Sequence, residues 1–310
     1  MTSILVRARA ALFGLVLLLA CVSPAAADDA LPEVEGSFAM LGMQVPLPGG
    51  PWHLVAEAQQ PAPAGRPVLH GAVLASLSGT TVAGLVVIQA AIDSEAVGSG
   101  LPGACSRSDL HWTEIRSGAG SLLAVCSYVT HLVHAAGPGS AAVWTAADRA
   151  IRSQGWTVPA TWLAVGFRIA DDIDLLDVRY YFNPDLLGMP PVAARAEPAG
   201  GGWLGGAASI YGSVRAAIAG EGVPHDPRWV ASPWSPAAVA DDPRRAAAIA
   251  GLVAWAHPAL RALRSGFAGR AAAMLPPPAP WSAAAQGGAK AWPRRPPRRR
   301  GEARSRCGRP

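Results

Sequence analysis

The sequence predicts an α+β fold: an antiparallel β-sheet with about three helices, mostly in the C-terminal half, followed by a disordered basic tail. Three observations carry this. Apolar runs of strand length, separated by Pro- and Gly-rich turn clusters, fill the stretch from Phe38 to Ile92. A second pair of runs, TWLAVGFRIA and LLDVRYYFNP around DDID, folds back in a register that separates oily from charged residues. After residue 140, apolar residues begin to recur at the helical period.

Taken in order, the chain opens with Arg7 and Arg9, an apolar run from Ala10 to about Val22, the helix breaker Pro24, and then Ala25 and Ala27. A positive start, a short oily segment and small residues at an A-x-A site are the pattern of a secretory signal peptide. Residues 1–27 are therefore expected to be removed, releasing a periplasmic or secreted protein that begins at Asp28. The run falls short of the roughly 20 apolar residues a membrane-crossing helix needs, so no transmembrane helix is expected after cleavage. The rival reading is cleavage before Cys21. Leu18-Leu19-Ala20-Cys21 looks like a lipobox, and acylation at Cys21 would anchor the protein to the envelope.

Residues 28–275 are long enough for one sizeable core and are read as a single domain. The formal charge of +5 suggests a nucleic-acid partner, but its distribution removes the suggestion. The leader carries Arg7 and Arg9 and no acid, and residues 276–310 hold nine Lys and Arg against Glu302 alone. The body left between them is mildly acidic and has no general attraction for phosphates. Residues 276–310 have almost no apolar content and are expected to be disordered.

Within the body, PLPGGP (Pro46–Pro51) is a turn cluster. VLHGAVLASL and TVAGLVVIQAAI flank Ser78-Gly79-Thr80, a hairpin signal. Both arms are apolar nearly throughout, which places them centrally in the sheet with both faces covered. Another strand is expected from Leu122 to about Val133. From Ser140 to Gln154 the period changes: Val143, Ala147 and Ile151 are four apart, and Gly155 stops the helix. In the hairpin around DDID, pairing Ala170 with Leu175 sets Phe167 opposite Val178 and Val165 opposite Tyr180, with Arg168 opposite Asp177 on the other face. That is the pattern of a half-exposed antiparallel pair. A second helix is expected over Ile210–Ile218. A third opens at Asp241-Asp242-Pro243 and carries Ile249, Leu252, Val253, Ala256, Leu260 and Leu263 along one stripe. Pro258 is expected to kink or divide it.

After removal of the leader, Cys105, Cys126 and Cys307 remain. In an oxidising compartment Cys105 and Cys126 are the natural pair, and closing that loop stabilises the fold by about 3 kcal/mol in the chain-entropy model. No close pair of Cys or Cys/His ligands suggests zinc, and neither a metal nor a cofactor is expected. Gly98–Gly103 match GxGxxG, but Pro102 interrupts the motif and no helix opens behind it. His131 and His134 are three apart on a strand, so their rings diverge. The carboxylates Asp171, Asp172 and Asp174 fit a solvated hairpin turn and lack the turn Gly and distal Glu of a calcium loop.

Asp109 and His111 fall on one side of an extended segment beside the expected disulfide, and are the candidate general-base dyad. There is no GxSxG elbow, HExxH or P-loop, and Lys290, the sole lysine, lies in the tail without an SxxK partner. Tryptophan is the compositional oddity: 11 of them outnumber the four Tyr and five Phe together. Indoles fill cores, but exposed ones offer flat platforms for ligands, and Trp229 and Trp234 in WVASPWSP are the candidate binding residues.

PLPGGPW (Pro46–Trp52), VPATWLAVGFRIAD (Val158–Asp171), VRYYFNP and LVAWAHPAL, behind such a leader, resemble a group of exported proteobacterial proteins with no assigned activity. The resemblance implies export and a shared fold over most of 36–270, and brings no functional residue. The reading that results is a non-catalytic periplasmic protein binding a ligand or protein partner of the envelope. The alternatives are a periplasmic hydrolase using Asp109 and His111, or a lipid-anchored protein acylated at Cys21.

Overall fold

The computed structural model describes residues 30–60, 68–92, 105, 107, 109–117, 123–133, 141–187 and 232–269. The expected helix over Ile210–Ile218, the GxGxxG loop, His134, the leader and the basic tail lie outside them.

The described chain opens with β1 (Glu33–Val34), β2 (Ser37–Met40), β3 (Met43–Pro46) and β4 (Trp52–Gln60). It continues through β5 (Leu69–Ser78), β6 (Thr81–Ala91), β7 (Trp112–Ser117) and β8 (Ala124–Val133). Helix α1 (Ala141–Ser153) follows, then β9 (Thr161–Ala170), β10 (Leu175–Phe182) and a 3-10 turn at Pro184–Leu187. Helices α2 (Pro236–Asp241) and α3 (Pro243–Phe267) come last. Eight strands form one antiparallel sheet in the order β1-β4-β5-β6-β10-β9-β8-β7, while β2 and β3 make a separate hairpin. The fold is α+β, as the residue patterns indicate.

The expected central hairpin is β5–β6. Gly79 takes φ +62° in its turn, a conformation that suits a residue without Cβ, and both strands are buried over most of their length. The β9–β10 register is the expected one: Ala170 pairs with Leu175, Phe167 with Val178, Val165 with Tyr180 and Arg168 with Asp177. One expectation is corrected here. The pair is not half-exposed; all eight residues of β10 are buried. The strand lies between β6 and β9 in mid-sheet, and both of its faces are covered.

One face of the sheet packs on α3 and the β2–β3 hairpin. Tyr180, Phe182, Phe167, Val178 and Ile88 meet Leu252, Trp255, Ala256 and Leu260 in the main core. Trp255 takes the Tyr180 and Phe182 rings edge-on, at 5.1 and 5.2 Å between centroids. The Tyr180 hydroxyl donates to the Pro46 carbonyl at 2.8 Å, which fixes the small hairpin to the sheet. Each large apolar side chain so buried contributes about 1.5–3 kcal/mol.

The Asp242 carboxylate accepts from the Arg244 and Arg245 N–H groups at the start of α3, with Pro243 in the first turn. Of the two outcomes expected at Pro258, a kink or a division, the division does not occur: α3 runs undivided for 25 residues. The carbonyl that Pro258 leaves unbonded belongs to Ala254, which is exposed, so water can satisfy it. By length and composition α3 could cross a bilayer, but 56% of its most apolar stretch is buried inside the fold. On the other face, α1 packs over β4 and β5 with Val143, Ala147 and Ile151 inward, and Val143 sits against Gly71.

Candidate functional site

Strand alternation puts Asp177, Arg179 and Tyr181 on the face of β10 away from α3. Register then decides their neighbours. Asp177 lies between Gln89 of β6 and Arg168 of β9, and Arg168 lies beside Cys126 of β8. One row along, Arg179 faces Gly166, and Gly166 faces Tyr128. A Cβ on Gly166 would run into the Tyr128 ring, so that ring lies across the glycine toward Arg179. The sheet face therefore gathers two guanidinium groups, one carboxylate and two phenols beside a disulfide.

Asp177 and Arg179 are buried and paired, with Nε 3.0 Å from Oδ1. Burial opposes the Arg179 charge, but Asp177 above all, helped by the Tyr128 and Tyr181 phenols, outweighs it and holds the guanidinium above the usual arginine range. Arg168 shifts the other way. Burial lowers it, Asp177 offsets part of that, and the Arg179 charge lowers it further. An arginine keeps its proton regardless. Burial raises both Tyr128 and Tyr181, so both phenols stay protonated as neutral donors. Tyr181 is also framed by aromatic edges, with Trp144 and Trp162 each 6.3 Å away between centroids.

The disulfide joins Cys105 to Cys126 as the pairing argument expected, with Cα atoms 6.3 Å apart and both sulfurs buried. Next to it, Asp109 gives both carboxylate oxygens to Arg107, the Nε–Oδ1 bond being 2.7 Å. Its influence on His111 is that of a nearby charge, the weakest of three. Burial dominates and lowers the imidazole's pKa, while the Trp234 backbone and then Asp109 raise it. His111 lines an open cavity of about 460 Å³ with Leu110, Trp112, Val239, Ile249 and Val253. Its ring lies 5.4 Å from that of buried His131, and its Nε2 is buried without a hydrogen-bond partner. Of the two residues of the expected dyad, Asp109 is ion-paired with Arg107 and His111 faces an apolar groove, where Asp109 acts on it as a nearby charge.

The platform expected in WVASPWSP is not formed by Trp234, which is 1% exposed; Trp229 lies outside the described residues, as does Cys21. The reason is the capping turn. Trp234 N–H donates to Ser232 Oγ, Ser235 caps α2, and Arg245 closes over the indole at 5.7 Å. Trp52, Trp144, Trp162 and Trp255 are buried as well. Asp171 accepts from the Ile173 and Asp174 N–H groups, the work of a turn residue. Among the described residues, no three His, Cys, Asp or Glu side chains gather in a way that would hold a metal.

Arg179, Tyr128 and Tyr181 were not among the residues singled out from the sequence. The signal was the charged residue inside VRYYF, since Arg in a fully buried strand must have a partner. Comparison with protein-family models, curated proteins and solved structures finds no match to this chain.

Proposed function

We propose that the protein is exported to the bacterial envelope, where it binds a ligand without transforming it, on the sheet face that carries Arg168, Asp177 and Arg179. The observation behind this reading is the charge that the sheet gathers there: among the described residues, two guanidinium groups and one carboxylate share a largely buried face. Burying an uncompensated charge costs several kcal/mol, and such groups mark binding sites more often than random surface. Among the described residues, the cluster is built mainly from arginines and phenols. Its arginines stay charged and its phenols stay protonated, which favours holding a ligand over turning one over.

Export rests on the Arg7/Arg9 leader with its Ala25 and Ala27 site, and the Cys105–Cys126 disulfide suits an oxidising compartment. In this reading α3 is a core helix, and the folded body neither crosses a membrane nor binds nucleic acid. Intact mass of the protein recovered from its native envelope reports both points. A mass that begins at Asp28 and lacks two protons supports the reading; one that begins at Cys21 with acyl chains moves the protein to a lipid-anchored state. Protein found in the cytosol with its leader attached and its thiols reduced sinks it. Binding is tested by tryptophan emission, because Trp144 and Trp162 frame Tyr181 on that face. Small carboxylates, phosphates and neutral sugars are the probes, and silence toward all three classes rules the site out.

A further inference from the structure

We infer that the ligand of this face is an anion, a carboxylate or a phosphate group, whose oxygens are held by the fork of Arg168. The inference rests on the binding site proposed above and names what that site selects.

The count of charges leads to it. Asp177 is committed to Arg179 by a 3.0 Å ion pair, and the nearby Arg107 is committed to Asp109. Arg168, the partner of Asp177 across the strand pair, enters no ion pair or hydrogen bond among the described residues. It feels Asp177 and Tyr128 as favourable charges or dipoles and Arg179 as an unfavourable one. It is also the member of the cluster that reaches solvent, being half-buried where Asp177, Tyr128 and Tyr181 are buried. A cation placed at the mouth of a buried network, beside a second cation, is stabilised most by an incoming negative charge. A planar guanidinium meets two oxygens of a carboxylate or phosphate at once, which adds orientation to charge.

The neighbours narrow the class further. Gln89, partly buried on the far side of Asp177, offers an amide at the rim. The Asp177 carboxylate repels any anion that comes past Arg168, and among the described residues of this face Arg168 is the one guanidinium outside the Asp177–Arg179 ion pair, which matches one negative charge. The site therefore suits a singly charged head, a carboxylate or a phosphate monoanion, better than a polyphosphate.

The test is titration of the mature protein, disulfide intact, with sodium acetate and with sodium phosphate at constant ionic strength, followed by calorimetry and tryptophan emission. Glucose is the neutral probe. We expect saturable binding of at least one of the two anions, and the better of the two identifies the source of the head group. Arg168→Gln should weaken it at least tenfold. Arg168→Lys keeps the charge without the fork and should fall between, which preserves the test if the glutamine variant folds poorly. Arg152→Gln, at an exposed salt bridge with Asp148 on α1, should bind as the wild type does. Equal binding by wild type and the Arg168 variants overturns the inference. Binding of glucose with neither anion overturns it too, yet leaves the face as a ligand site; no response to any probe removes both.

Discussion

The phenol ring of Tyr128 lies across Gly166 of the adjacent strand, in the space that a side chain would otherwise fill. Gly166 is at the same time the cross-strand partner of Arg179. A single missing Cβ thus lets a residue of β8 reach over β9 and take part in the polar cluster of β10. Gly166→Ala should destabilise the protein by about 1–3 kcal/mol, as overpacking of a tight site does. Urea unfolding measures it. Tyr128→Ala in the same chain should relieve part of that loss, because the clash needs both groups; strictly additive losses would place the ring elsewhere.

Asp177 holds a buried guanidinium, and removing it should cost far more than an ordinary surface change. Asp177→Asn leaves Arg179 buried without its counter-charge, and a loss of about 3–5 kcal/mol is expected. Replacing the pair together, Asp177→Leu with Arg179→Met, should lose much less than the two single losses combined. Denaturant midpoints for the three variants decide this. A mild effect of Asp177→Asn would mean that the pair is solvated in solution.

Gly266, on α3, is pressed against the Gln44 carbonyl of β3, so closely that a Cβ would meet backbone oxygen. Backbone cannot swing aside as a side-chain tip can. Gly266→Ala should therefore loosen the seat of the small hairpin and lower the melting temperature by several degrees, a shift in keeping with about 1–3 kcal/mol. Gly49, with open space around it, is the control and should tolerate alanine.

Acidification should act through His111. Burial makes the folded protein hold this imidazole's proton less tightly than the unfolded chain does, since its pKa is lowered from 6.5. The unfolded state then binds more protons, so stability rises with pH through that range and falls as pH drops below the ordinary histidine value. Asp109 and the Trp234 backbone soften the effect, and His131 is the neighbouring imidazole. Melting curves between pH 7.5 and 5 should show a smaller loss for His111→Gln than for wild type. Parallel losses would assign the acid sensitivity to other groups.

Much of the architecture was readable because the local rules agree. The four-residue DDID loop and a period of two were enough to pair Arg168 with Asp177, and the fourfold spacing of Val143, Ala147 and Ile151 marked the buried side of α1. The Cys105–Cys126 bridge followed from having two cysteines of suitable separation in the body. What misled was context. Trp234 resembled an exposed platform, whereas a serine-capped turn tucks it inward. Asp109 and His111 resembled a dyad, but Arg107, two residues away, claims the carboxylate.

The sequence by itself determined the α+β class, the strand pairs joined by short turns, and which residues share a face, since each depends on periodicity and turn chemistry within a few dozen residues. Only the tertiary structure decided that β10 inserts between β6 and β9, and so that the Arg168–Asp177 row is largely buried rather than half in water. The physical reason is that burial belongs to the whole assembly. Whether a charged row is worth a fraction of a kcal/mol or several depends on what covers it, and that cover comes from elements far apart in the chain.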